Sequence, residues 1–111
     1  MNRIESQIQI SCISYFRIMY KGRGVIFSCP NGANVSVANR KRLVQEGMLA
    51  GVADMQILLS CGRCVFVEVK TPEKTSKQSE LQKKFQKDVE SLGFSYYLVR
   101  SLDELEDYVI L

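Results

Sequence analysis

The stretch that decides the fold is "DMQILLSCGRCVFVEVK", residues 54 to 70. Met55, Ile57 and Leu59 alternate with polar or less constrained positions, and so do Val65, Val67 and Val69, which is the period of two that a half-buried β-strand requires. Gly62 lies between the two runs, so they read as an antiparallel hairpin. A one-residue slip would turn every side chain to the other face, so the apolar residues of the two strands must share a face. Partners then have numbers that sum to an even value. A loop centred on Gly62 sets Asp54 opposite Lys70 and Gln56 opposite Glu68.

The face away from the core therefore carries Asp54, Gln56, Glu68 and Lys70. Opposed residues in a sheet have Cβ atoms about 4.5 to 5.5 Å apart, so two carboxylates and an ammonium are expected to converge. Carboxylates that close repel unless a cation lies between them, and paired hard oxygen ligands suit Mg²⁺. The same residues also fit a surface ion-pair ladder, worth less than about 1 kcal/mol, and the strand pattern alone leaves both readings open.

Outward from the hairpin, a helix is predicted from Asn2 to about Tyr20 on the spacing of Ile4, Ile8, Cys12, Tyr15 and Met19. "VIFSC" at 25 to 29 reads as a strand, "PNGAN" at 30 to 34 as a turn, and Val35 to Glu46 as a helix capped by Gly47. After Thr71-Pro72 and the polar loop "EKTSK", a helix with the stripe Leu81, Phe85, Val89 and Leu92 ends at Gly93. "SYYLVR" at 95 to 100 is a further strand, and Ser101 to Glu104 has the capping-box pattern of a final helix. This order predicts an α/β (α+β) domain, a mixed sheet flanked by helices, spanning residues 1 to 111.

Composition bounds the function. The chain has 111 residues, 46% of them hydrophobic and 24% charged, which excludes disordered, collagen-like and coiled-coil classes. No apolar run approaches the roughly 20 residues that cross a bilayer, and the N-terminus lacks a signal peptide's apolar stretch, so a cytoplasmic location and no membrane association are expected. Cys12, Cys29, Cys61 and Cys64 are too few for a disulfide scaffold and are expected as free thiols. There is no histidine, which removes imidazole bases, His-containing triads and histidine zinc ligands. A net charge of +3 does not by itself announce nucleic acid. The local clusters around Arg40, Lys41 and Arg42 and around Lys74 and Lys77 could meet phosphates.

"GVAD" at 51 to 54, "VEVKTP" at 67 to 72 and "SELQKKF" at 79 to 85 together resemble the VRR-NUC (virus-type replication-repair nuclease) domain of the PD-(D/E)XK superfamily. The resemblance extends through "CPNGAN", "RKRLVQEGMLAGVAD" and "GFSYYLVRSLDEL", nearly the whole chain. It implies a restriction-endonuclease-like fold and a Mg²⁺- or Mn²⁺-dependent endonuclease acting on DNA. By the same resemblance Asp54, Glu68 and the Val69 carbonyl would hold the metal, Lys70 would act on the attacking water, and Gln82 and Glu5 would support the site. Arg40, Lys41, Arg42, Lys74 and Lys77 would contact DNA, with Lys74 and Lys77 in a loop that is longer here than is usual in the family. Stand-alone members imply a homodimer cutting branched DNA such as four-way junctions, in repair, recombination or phage replication. The alternative is a non-catalytic DNA- or partner-binding module that keeps the fold.

Overall fold

The computed structural model describes residues 1–30 and 35–109. The expected turn at Asn31 and Gly32 lies outside the described residues. In chain order the elements are α1 (Arg3–Met19), β1 (Gly24–Ser28), α2 (Val37–Gln45), β2 (Met55–Leu59), β3 (Cys64–Val69), α3 (Glu80–Ser91), β4 (Ser95–Val99) and α4 (Leu102–Tyr108). A 3₁₀ turn, Ser60–Gly62, joins β2 to β3. The strands form one sheet in the order β1-β2-β3-β4. The first three are antiparallel and β4 runs parallel to β3, so the sheet is mixed and the fold is α+β. The parallel pair needs a crossover, and α3 supplies it.

The apolar parity holds. Met55, Ile57, Val65, Val67 and Val69 are all fully buried, joined by Ile26 of β1 and Val99 of β4. On this face Cys12 and Phe16 of α1 and Leu105 of α4 close the core. Met19, expected on the α1 stripe, is 53% exposed, and Phe16 takes its place. A helix turns about 100° per residue, so Phe16 follows Cys12 by one turn, whereas Met19 has rotated off the face. Tyr20, at the end of α1, stacks on Phe16 at 4.8 Å and donates from its hydroxyl to the Val109 carbonyl at 2.6 Å, tying the helix to the chain end after α4.

The opposite face is covered by α3, which packs Phe85 and Val89 against Phe66 and Tyr96. Phe66 meets Phe85 edge-on at 5.2 Å. Leu81 and Leu92, the outer members of the expected stripe, are 53% and 73% exposed, so only the middle of α3 is seated on the sheet. The helix starts at a complete capping box: the Ser79 hydroxyl accepts from the Gln82 N–H, and the Gln82 carboxamide accepts from the Ser79 N–H.

The hairpin register corrects the sequence reading by two residues. Met55 pairs with Val67, Gln56 with Phe66 and Ile57 with Val65. The loop is centred on Cys61 instead of Gly62, and the Leu59 N–H donates to the Arg63 carbonyl at 2.8 Å to close it. Cys61 and Gly62 both adopt left-handed φ, at 62° and 70°, which lets three residues complete the reversal. An even shift leaves every side chain on its expected face. It changes partners, moving Asp54 from opposite Lys70 to opposite Glu68.

Helix α2 is different from the rest. It begins at Ser36, whose hydroxyl accepts from the Asn39 N–H, and ends before Gly47, as expected, but no residue in it is buried.

Candidate active site

Asp54 stands just before β2, and the strand register carries it to the acidic end of β3. Its backbone carbonyl accepts from the Cys29 N–H at 2.8 Å, and its side-chain Oδ2 accepts from the Val69 N–H at 2.7 Å. The first bond fixes the Asp54 backbone and the second fixes its carboxylate. Gly51 explains how the chain reaches this point. Its φ is +85°, and a Cβ there would sit 2.6 Å from the backbone carbonyl carbon and oxygen of Leu81, so only glycine lets the segment pass the start of α3.

Glu68 lies in the central strand and is 1% exposed. Burial pushes its carboxyl up to about 9, helped by a hydrogen bond and charge repulsion from Asp54; Lys70 and Tyr96 pull the other way. Two carboxyls within hydrogen-bonding reach, one of them desolvated, cannot both ionise without a counter-charge. Burial and Asp54 thus favour the protonated Glu68 carboxyl, and Lys70 opposes them. Lys70 follows at the end of the strand, half-buried, with its N–H donating to the Val99 carbonyl at 3.0 Å. Asp54, Glu68, Val69 and Lys70 are thus one cluster at one end of the β2–β3 pair.

This donor set fits a hard divalent cation. Asp54 and Glu68 offer carboxylate oxygens, and the Val69 peptide adjoins both. Among the described residues no group of three or more His, Cys, Asp or Glu side chains comes together to hold a metal, so a soft or four-ligand protein cage is not built here. Mg²⁺ and Mn²⁺ accept such a two-carboxylate site, completing their shell with water and phosphate oxygens. Glu5 does not join the pair as a third acid. It is half-buried in the first turn of α1, where its N–H donates to the Asn2 side chain at 2.8 Å.

Gln82 is committed at its carbonyl oxygen to the α3 cap. A different glutamine reaches the acids. Gln78, at the end of the loop after β3, donates from Nε2 to the Tyr96 hydroxyl at 3.1 Å and to Gln86 Oε1 at 3.0 Å, and the Tyr96 hydroxyl donates to Glu68 Oε1 at 3.4 Å. Burial and the neighbouring Glu68 raise the Tyr96 phenol above its usual range, which keeps it a donor. Tyr96 stood only as one of two adjacent tyrosines in a predicted strand, with nothing to mark its hydroxyl. Gln78 left no signal beyond polarity. Arg100 was also missed: its guanidinium donates to the carbonyls of Thr71 (2.7 Å), Glu73 (3.0 Å) and Ser76 (2.7 Å), gripping the loop that carries Lys74 and Lys77.

Lys74 and Lys77 are exposed on that gripped loop. Arg40, Lys41 and Arg42 lie along exposed α2, where Arg42 approaches Glu46 at 4.0 Å. Cys61 is exposed in the hairpin turn, Cys64 accepts a hydrogen bond from Gln56 Nε2 at 3.1 Å, and all four cysteines are free thiols.

No protein-family model and no curated protein matches the sequence. Solved structures do match the fold. One described as "VRR_NUC domain protein" superposes with a TM-score of 0.73 at 16% identity, covering 98% of this chain and 90% of its own. A second, "VRR_NUC domain", gives 0.67 at 20% identity, covering 98% of this chain and 100% of its own. Among the described residues no helix is long and apolar enough to cross a membrane. The α+β arrangement that brings Asp54 and Glu68 together is therefore the fold of VRR-NUC domain structures, over nearly the full length of the chain.

Proposed function

We propose that this chain is a Mg²⁺- or Mn²⁺-dependent endonuclease that hydrolyses DNA phosphodiesters. The observation that carries the reading is the Asp54 carboxylate, fixed by the Val69 N–H, beside the buried Glu68, with Lys70 directly after β3. An apolar site would serve the fold better. A desolvated acid pair with a lysine beside it is the kind of perturbed cluster found where chemistry is done.

Asp54, Glu68 and the Val69 carbonyl would hold the cation. A bound Mg²⁺ or Mn²⁺ supplies Lewis acidity toward the scissile phosphate and makes a nearby water more acidic. The Val69 N–H fixes the Asp54 carboxylate, so this ligand would already be oriented before a cation binds. Lys70 orients the attacking water and offsets negative charge that builds at the phosphate; with no histidine in the chain, it is the base or charge partner at hand. Lys74 and Lys77 on the Arg100-gripped loop, with Arg40, Lys41 and Arg42 on α2, would take the flanking backbone phosphates, giving affinity without sequence readout. A homodimer acting on branched DNA completes the proposal, because a four-way junction presents two symmetry-related strands and a two-fold enzyme can cut both.

The test is cleavage of a labelled four-way junction and of linear duplex in Mn²⁺, in EDTA and by Lys70→Ala. Cutting is expected in Mn²⁺ only, faster on the junction, and lost in Lys70→Ala while DNA binding is kept. Metal-independent binding with no cutting of any DNA would instead establish a non-catalytic DNA-binding module. Sedimentation of the protein alone reads the dimer.

A further inference from the structure

We infer that Tyr96, oriented by Gln78, is a positioning residue that fixes the Glu68 carboxylate for cation binding and couples it to the loop after β3 and to α3. The inference rests on the metal-dependent reading of the Asp54–Glu68 pair.

Tyr96 sits on β4 directly beside Phe66, so its ring points to the α3 face, the same face as Glu68 two residues further along β3. The residue is 5% exposed and packs with Val89, Phe85 and Ala53. A phenol buried this far must find partners for its hydroxyl. Polar side chains supply both. Gln78 Nε2 has only hydrogens to give, so the Tyr96 oxygen accepts from it and the phenolic proton is left for Glu68 Oε1. The second Nε2 hydrogen is taken by Gln86 on α3, which locks the carboxamide orientation. The chain Gln86–Gln78–Tyr96–Glu68 therefore runs in one direction from a helix surface to a buried acid.

A glutamate side chain has three torsions to fix, and the terminal one is broad, so which oxygen faces Asp54 depends on the partners of the carboxyl. The Tyr96 hydroxyl selects one by occupying Oε1, leaving the other lone pairs for a cation beside Asp54. Partners of this outer kind typically change metal affinity or activity by about 10- to 100-fold when removed. Gln78 belongs to the loop gripped by Arg100, so the setting of the loop and the setting of the carboxylate are joined through one hydroxyl.

The experiment measures Mn²⁺ binding to wild type, Tyr96→Phe, Gln78→Leu and the double variant by titration calorimetry, with thermal unfolding in EDTA as a control for folding. Tyr96→Phe keeps the ring and removes one oxygen, so roughly tenfold weaker Mn²⁺ binding is expected with the unfolding midpoint little changed. Gln78→Leu is expected to weaken binding by a smaller factor, and the double variant to be no worse than Tyr96→Phe, since both act through the same hydroxyl. Wild-type affinity in Tyr96→Phe, or losses in the two single variants that simply multiply, would overturn the inference while leaving a cutting, metal-binding wild type intact. A wild type that binds no Mn²⁺ would overturn the nuclease reading, and this inference with it.

Discussion

The two faces of the sheet are built to opposite rules. On the α1–α4 face, Met55, Ile57, Val65, Val67, Val69 and Val99 are all at 0% exposure, and among the described residues no buried charged side chain lies with them. On the α3 face, the same strands carry Glu68 at 1% exposure, Tyr96 and Gln56, with Asp54 at the end of the row. Here α3 covers only the β3–β4 half. Val25 and Leu58, paired across β1 and β2, remain 57% and 41% exposed. One face supplies stability, and the other holds polar groups that a folding protein would otherwise keep in water. The central strand β3 meets both demands by alternating them residue by residue.

The sharpest way to break this contrast is one substitution on each face. Ile57→Ala opens a cavity in the apolar layer and is expected to cost about 2 to 5 kcal/mol of unfolding free energy, with cleavage per folded molecule near wild type. Asp54→Asn is expected to lower cleavage by about a thousandfold while the unfolding midpoint stays within a few degrees. Denaturant titration and single-turnover cleavage read the two quantities. If Asp54→Asn unfolds the protein as Ile57→Ala does, the acid is structural and the division of labour between faces is wrong.

A smaller effect follows from the buried acid. The Glu68 carboxyl is pushed from 4.5 in the free side chain to about 9 by burial and by Asp54. The folded chain therefore holds this proton more tightly than the unfolded chain, and the folded state is favoured by it below about pH 4.5. That contribution is lost progressively as pH rises through about 9. In EDTA the wild-type melting temperature should fall between about pH 6 and pH 9, and Glu68→Gln, which needs no proton to remain neutral, should fall less and melt higher at the alkaline end. Saturating Mn²⁺ should restore the wild type but not the variant. Parallel melting curves for the two proteins across that range would show that Glu68 is not the group responsible.

What the sequence disclosed, and what it hid, follows the same division. Which residues face the core was readable because an alternating pattern has only two parities, and a slip of one residue would turn Asp54, Gln56 and Glu68 into the apolar layer under α1 and α4. The exact register was not, because every even shift satisfies that pattern. The choice fell to Cys61, a non-glycine residue at φ 62°, which composition gives no reason to expect in the left-handed region. The acids and Lys70 stood out because charges inside a valine strand are conspicuous. Gln78, Tyr96 and Arg100 did not, because each acts through a partner between 18 and 29 positions away, and such pairings exist only once the sheet has formed.

Arg100 offers the finest test, at the margin where the two faces meet. It follows β4, and its backbone N–H donates to the Glu104 carboxylate at 3.0 Å, so α4 fixes the base of the side chain. The guanidinium then spreads three hydrogen bonds over the carbonyls of Thr71, Glu73 and Ser76. Arg100 reaches its acceptors from two nitrogens of a rigid planar fork, a wider span than the three N–H bonds of one ammonium nitrogen, so Arg100→Lys should recover only part of the function of Arg100. Arg100→Ala should cost about 1 to 3 kcal/mol of stability. Its kinetic effect should fall on KM for DNA, severalfold upward, because the loop bearing Lys74 and Lys77 loosens. At saturating Mn²⁺ the kcat should hold, because the link through Gln78 and Tyr96 acts on Mn²⁺ affinity and the Lys70 backbone N–H is held separately by the Val99 carbonyl. A fall in kcat with KM unchanged at saturating Mn²⁺ would mean instead that the loop acts on the chemical step itself and not on phosphate and metal affinity, and the margin would then belong to the catalytic face.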